Sequence, residues 1–305
     1  MRTAGAGPFE SLDRLACFEL RSHGLPLGVV PRLYSLARGR GGPLCRLAAR
    51  ALAEESVRRV AFFTGIVHEQ QPRGELDGPI GCAVLATALD RLDRDTTVFA
   101  PVPVLPVLEA ARAATGGRFA IRADAAAVAA GFDGVLSIER LGRNRRGAHH
   151  SILGLPRRET GVADDFVEEL NRSGRPTIGI GDGGNEIGFG SIFAAAREVV
   201  PHGAACGCPC GDGIVAHTPV RHLLVASVSN FGAYAVAAAL AVLSGRLDLA
   251  PEPDRVVAAM TAGVRAGGID GGSMVPGRVA DDGIPAAAVA AVVTLMRTTV
   301  EMALA

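Results

Sequence analysis

The sequence has no lysine. All 31 basic residues are arginine, and 31 acidic residues balance them to a formal net charge of zero. Without lysine there is no Schiff-base catalysis, no lysine-anchored pyridoxal phosphate and no Walker-type phosphate loop. A neutral chain also lacks the basic footprint of a nucleic-acid binder. Aromatic residues are scarce: tryptophan is absent, and Tyr34 and Tyr234 are the two tyrosines. Six cysteines lie in 305 residues, and only Cys206, Cys208 and Cys210 sit close together. That is too sparse for a disulfide scaffold and points to a reducing cytoplasm. Glu10, Asp13 and Glu19 interrupt the first twenty residues, so no signal peptide is expected. One long stretch, 223–243, has no charge and is long enough to span a bilayer. Ser227, Ser229, Asn230 and Gly232 fall inside it. A strand, a tight turn and a buried helix explain it better than a membrane span.

What is present is an alternation of short apolar runs with alanine-rich helical runs. Strands are expected over 60–64, 96–100, 119–122, 134–139, 177–181 and 223–229. Helices are expected over 44–58, 79–92, 103–115, 123–130, 163–172, 186–199, 231–244, 252–266 and 284–304. Strands alternating with helices imply an α/β fold: a mostly parallel sheet with flanking helices in three layers. The stretches 140–161 and 201–219 read as irregular and form a loop-rich lobe. Residues 1–40 read as an N-terminal helical preface and 41–305 as the α/β domain. A parallel sheet places ligands beyond the carboxyl ends of its strands.

Polar residues gather at those ends. In 178–190 an apolar strand runs into Gly181-Asp-Gly-Gly-Asn-Glu186. Its glycines allow a sharp turn and a close backbone approach to a ligand. Asp182 sits at the strand end, Asn185 is placed to cap a following helix, and Glu186 lies in that helix's first turn. Glu75 and Asp77 precede Pro79 after the strand at 60–64; Asp77 either caps the next helix or binds a ligand. Glu139 and Arg140 end another strand, and Arg143, Arg145 and Arg146 follow as forks for carboxylate or phosphate, or as a solvated loop. His149 and His150 read as surface residues. Ser229 and Asn230 lie where a strand passes into a helix, and Asp270 lies in a glycine-rich turn. The carboxylates Glu75, Asp77, Glu139, Asp182 and Glu186, brought to one rim, suit Mg²⁺ or Mn²⁺ rather than zinc. Cys206-Gly-Cys-Pro-Cys210 lacks a fourth ligand at standard spacing and reads first as a structured loop.

Taken together, 74–79 (Gly-Glu-Leu-Asp-Gly-Pro), 138–143 (Ile-Glu-Arg-Leu-Gly-Arg), 179–188 (Gly-Ile-Gly-Asp-Gly-Gly-Asn-Glu-Ile-Gly) and 228–234 (Val-Ser-Asn-Phe-Gly-Ala-Tyr) resemble the D-glutamate cyclase C-terminal domain family. The similarity runs from about residue 40 to the end. The resemblance implies an α/β fold with a metal-binding acidic pocket, a homo-oligomer, and lyase chemistry that turns D-glutamate into 5-oxo-D-proline and water. The enzymes that name the family carry an N-terminal hydro-lyase-like domain, which is not expected within these 305 residues. Arg146-Gly147 stands where the family usually has an Asp-Gly, Arg221 where an Asp begins the strand before Ser-Asn, and Phe231 where a Trp is usual. The resemblance implies Mg²⁺ or Mn²⁺ on Asp182, Glu186 and Glu75 or Asp77, with a remaining carboxylate as general base. Arg140, Arg143, Gly183, Gly184, Asn185, Ser229 and Asn230 are expected to bind a small-molecule substrate, Arg143 by its fork. Neither nucleic acid nor membrane is an expected partner. Two other functions compete. Gly181-Asp-Gly-Gly-Asn-Glu186 also resembles an acidic motif of haloacid-dehalogenase-type phosphatases, whose strand-end Asp-x-Asp nucleophile has its one close match in Asp93-Arg-Asp95. The arginine replacements could instead make a non-catalytic anion-binding module.

Overall fold

The computed structural model describes residues 5–20, 24–67 and 74–305. In chain order the helices α1 (Gly7–Ala16), α2 (Val29–Arg38) and α3 (Leu44–Ala53) precede β1 (Arg59–Thr64), α4 (Pro79–Asp90), β2 (Asp95–Ala100), α5 (Leu105–Thr115), β3 (Ala120–Ala123) and β4 (Gly134–Ile138). A two-residue hairpin follows, β5 (His149–His150) with β6 (Pro156–Arg157). Then come α6 (Val162–Arg172), β7 (Thr177–Gly181), α7 (Phe193–Val199), β8 (His222–Val225), α8 (Ser229–Ser244) and α9 (Pro253–Arg265). A second small hairpin, β9 (Ala280–Asp281) with β10 (Ile284–Pro285), leads into α10 (Ala286–Leu304).

The main sheet is all parallel, in the order β3-β2-β1-β4-β7-β8. Successive side chains on a strand face opposite sides, and β1 shows it. Val60 and Phe62 pack into a core with α1, α3, α4, α5, α8, α9 and α10. Ala61 and Phe63 pack into a second core with α2, α6 and α7. Helices on both faces of a parallel sheet make the expected three layers. The strand order reverses between β1 and β4, and a sheet of this kind opens its ligand crevice at that reversal.

The stretch 223–243 is divided as expected, into β8 and the buried helix α8. Among the described residues, α10 is the one helix long and apolar enough to cross a membrane. Its Val289, Val293, Met296 and Val300 are buried in the first core. Two expected helices are corrected. The stretch 123–130 holds only a single 3₁₀ turn, Asp124–Ala126. The helix expected from Glu186 begins at Phe193, because 182–189 is spent on a glycine-rich turn. The strand expected to reach Ser229 stops at Val225, so Ser229 opens α8.

Candidate active site

Beyond the carboxyl ends of β1, β4 and β7 lies a cavity of about 520 Å³. Glu75, Glu139, Asp182, Asn185 and Glu186 line it, as do Arg157 and Asp282. Backbone pairing holds the acidic segments in place. Leu76 N–H donates to Ile269 O at 2.9 Å, and Ile187 N–H donates to Arg140 O at 3.0 Å.

The turn after β7 builds its own cradle. Asp182, Gly183 and Gly184 donate backbone N–H groups to the Glu186 carboxylate at 3.2, 2.8 and 2.8 Å. Gly184 holds a left-handed φ of +94° with Val200 Cγ2 2.9 Å from where a Cβ would lie, so the turn favours glycine there. Asn185 caps no helix; its amide donates to His150 O at 2.9 Å. Glu139 holds a left-handed φ of +46° at the end of β4. Such a backbone is uncommon outside glycine and turns up at functional sites.

Asp77 and Asn230 cap each other's helices. Asp77 accepts the N–H groups of Ser229 (3.1 Å) and Asn230 (2.7 Å) at the start of α8. Asn230 Oδ1 accepts those of Gly78 (3.0 Å) and Gly81 (2.6 Å) at the start of α4. Each side chain satisfies donors that the other helix leaves open. Gly78, at φ +87°, sits where a Cβ would lie 2.5 Å from Thr64 Oγ1. Asn230 Nδ2 donates onward to Asp281 at 2.8 Å, and Ser229 Oγ donates to Glu139 Oε2 at 2.6 Å. Ser229 and Asn230, expected as substrate binders, are fully buried, are not among the residues lining the cavity, and hold its walls through these bonds. Gly183 and Gly184 likewise turn their N–H groups to Glu186.

The arginines also differ from expectation. Arg140 is buried away from the cavity, paired with Asp124 at 2.7 Å and Glu159 at 2.8 Å. Arg143 spans Asp165 and Glu168 on α6 at 2.7 and 2.8 Å. Both cations are taken up by acids that are distant in sequence, which local reading could not supply. The cavity's cation is Arg157, whose Nε is buried without a hydrogen-bond partner. Asp282 was missed too, although Asp281-Asp-Gly283 has the same acid-before-glycine form as Asp182-Gly183. Asp270 behaves as a turn aspartate, accepting Gly283 N–H at 2.7 Å and Gly272 N–H at 3.3 Å.

Negative charge is concentrated and poorly balanced. Oxygens of Asp77, Asp182 and Asp282 lie within 4.8 Å of one another, as do those of Glu139, Asp182 and Glu186. Asp182 belongs to both groups; Glu75 belongs to neither. Burial, reinforced by Asp281 and its neighbours, pushes the Asp77 carboxyl well up. Burial, reinforced by Asp182 and Glu186, does the same to Glu139. Burial and Asp282 raise Asp281 to about 8. Crowded hard oxygens with one nearby arginine fit a divalent cation of the Mg²⁺ or Mn²⁺ kind.

The competing functions find little support here. Asp93 and Asp95 lie at the amino end of β2, at the opposite end of the strands from the cavity, so among the described residues no Asp-x-Asp stands at a strand's carboxyl end. Arg146 is exposed, Arg221 lies beside Asn171 and Thr177, and neither lines the cavity.

Residues 43–297 match the family model described as D-glutamate cyclase-like, C-terminal. Human mitochondrial D-glutamate cyclase is 26% identical over 235 residues, covering 68% of this chain and 36% of that protein. The chain thus spans about a third of the length of that relative.

Proposed function

Because the chain belongs to the D-glutamate cyclase-like, C-terminal family, we propose that it is a metal-dependent carbon–oxygen lyase. Its substrate is D-glutamate or a related small amino acid, and its products are the 5-oxoproline and water. The observation that carries this reading is the convergence of Glu75, Glu139, Asp182, Glu186 and Asp282, facing Arg157, on one cavity of about 520 Å³. That space suits a small dicarboxylate with an ion.

Cyclisation forms one C–N bond and breaks one C–O bond. Two of the three ammonium protons must end on the departing oxygen. Asp77, Asp182 and Asp282 would hold Mg²⁺ or Mn²⁺, which when bound neutralises the attacked carboxylate and polarises its carbonyl. Arg157 takes the α-carboxylate in its fork, the role expected of Arg143. Glu139 carries the two protons in turn, each time taking one from the amine and passing it to the leaving oxygen. Burial and the neighbouring acids raise its pKa, which suits a group that both accepts and gives up a proton. Ser229 orients that carboxylate through its hydroxyl. Ring closure is intramolecular, so holding the two ends together supplies much of the rate.

The test is direct. Purified chain with Mn²⁺ or Mg²⁺ should convert D-glutamate to 5-oxoproline, and a chelator should stop it. Absence of product from either glutamate enantiomer, with either metal, would overturn the reading. Calorimetric binding of 5-oxoproline without turnover would favour an anion-binding module instead.

A further inference from the structure

The three clustered cysteines lie in a stretch, 201–219, that has no helix or strand. Loops of that length inside a compact domain are uncommon without a fastening or a function. Sequence spacing offers no fourth ligand, but the fold supplies one. Cys206, Cys208 and Cys210 place their sulfurs 3.3, 3.3 and 3.2 Å apart. His150, on β5, points Nε2 at the same spot, 3.2 Å from Cys208 Sγ and 3.5 Å from Cys210 Sγ. All four donor atoms lie within 4.8 Å of one another. His150 is fully buried, against the expectation of a surface residue, whereas the cysteines are half-buried.

We propose that His150, Cys206, Cys208 and Cys210 form a tetrahedral zinc site, separate from the acidic pocket. Three soft thiolates with one imidazole select zinc over Mg²⁺ or Mn²⁺, and a closed set of four protein ligands marks a structural site. The sulfurs are too far apart to be disulfide-bonded, which needs about 2.0 Å. A tetrahedron with metal–sulfur bonds of about 2.3 Å has edges of roughly 3.8 Å, so an ion enters as the sulfurs spread by about half an ångström. Binding releases the three thiol protons and involves no redox change. Asn144 supports the cluster from outside, donating from Nδ2 toward Cys210 Sγ at 3.4 Å and to Gly213 O at 2.9 Å.

The site has a position that matters. It pins the irregular loop to β5, whose continuation, Ser151 and Ile152, lines the acidic cavity. The carbonyl of His150 receives the Asn185 amide. The zinc clip therefore holds one wall of the cavity without contacting its carboxylates.

The full chain, purified under reducing conditions, should carry about one zinc per chain by plasma mass spectrometry. Cobalt(II) exchanged into it should show thiolate-to-cobalt charge-transfer bands and tetrahedral d–d bands. Both signals should disappear in Cys208→Ser and His150→Gln but persist in Asp182→Asn, which disrupts only the acidic site. Zinc should also shield three thiols from titration in the wild-type chain. Failure of the reduced wild-type chain to take up zinc or cobalt would overturn the proposal. So would an unchanged zinc content and cobalt spectrum in a folded Cys208→Ser. If that variant does not fold, the wild-type cobalt spectrum and thiol count decide. Cyclase activity has no bearing on these outcomes.

Discussion

Asp182 is the residue on which the two oxygen groups of the pocket meet, and Asp182→Asn removes a charge without changing size. Turnover should fall by roughly 10²–10⁴-fold, and Mn²⁺ binding, followed by calorimetry, should be lost while the circular dichroism spectrum stays. Arg157 acts on binding rather than bond-making. Arg157→Gln should raise KM by at least about tenfold with a smaller change in kcat, because it removes an attraction shared by substrate and transition state. A larger loss in kcat than in KM would place Arg157 at the reacting end. At this scale the sequence was partly legible. Asp182 and Glu186 stand out because glycines surround them at a strand end. Arg157 does not, since nothing local distinguishes it from Arg158. Arg140 and Arg143 misled for the same reason: their acidic partners are 16 to 25 positions away.

Helices α4 and α8 start side by side, and their first turns are tied by the exchange of Asp77 and Asn230. Asn230→Ala takes an acceptor from the N–H groups of Gly78 and Gly81 and a donor from the buried Asp281 carboxylate, while Gly78 keeps Asp77 and the Leu76 carbonyl keeps Ile80. Buried unsatisfied groups of this kind cost about 1–3 kcal/mol each before relaxation. The expected destabilisation is about 2–4 kcal/mol, measured by urea unfolding; a loss under about 1 kcal/mol would show that the exchange is not structural. Local rules found these caps but assigned them within their own segments. Asp77 precedes Pro79 and looks like the cap of α4; its oxygens accept Gly78 there but also the first two N–H groups of α8. Most long elements were visible in apolar periodicity. The helix expected from Glu186 starts only at Phe193, because a capping pattern cannot show that the N–H groups of Ile187 and Gly188 are already taken by the distant carbonyls of Arg140 and Thr218.

Across the whole molecule, stability without metal should depend on the acidic pocket. An aspartate whose pKa is raised on folding binds more protons folded than unfolded. For Asp281 that window runs from its ordinary 3.8 to about 8. Its favourable contribution is full below the lower value and is lost as pH rises toward the upper one. Chelator-treated protein should therefore melt at lower temperature at pH 8 than at pH 5.5. Asp281→Asn should flatten the slope, by an amount on the order of 3 kcal/mol between pH 5.5 and pH 8. Added Mg²⁺ or Mn²⁺ should raise Tm more at pH 8 than at pH 5.5. Equal slopes in wild-type and Asp281→Asn protein would show that this carboxyl is not responsible.

Composition and periodicity alone determined the class: no lysine chemistry, strands alternating with helices, and acids placed at strand ends. Those features are local, because a strand's apolar run and a turn's glycines are dictated by neighbours in the chain. Only the tertiary structure decided which charges face one another. It buried Arg140 and turned Arg143 to α6, brought Arg157 and Asp282 to the cavity, and set His150 against three cysteines more than fifty residues away. Each of those pairings joins segments distant in sequence. Electrostatic attraction and ligand geometry act through space, so no spacing along the chain encodes them.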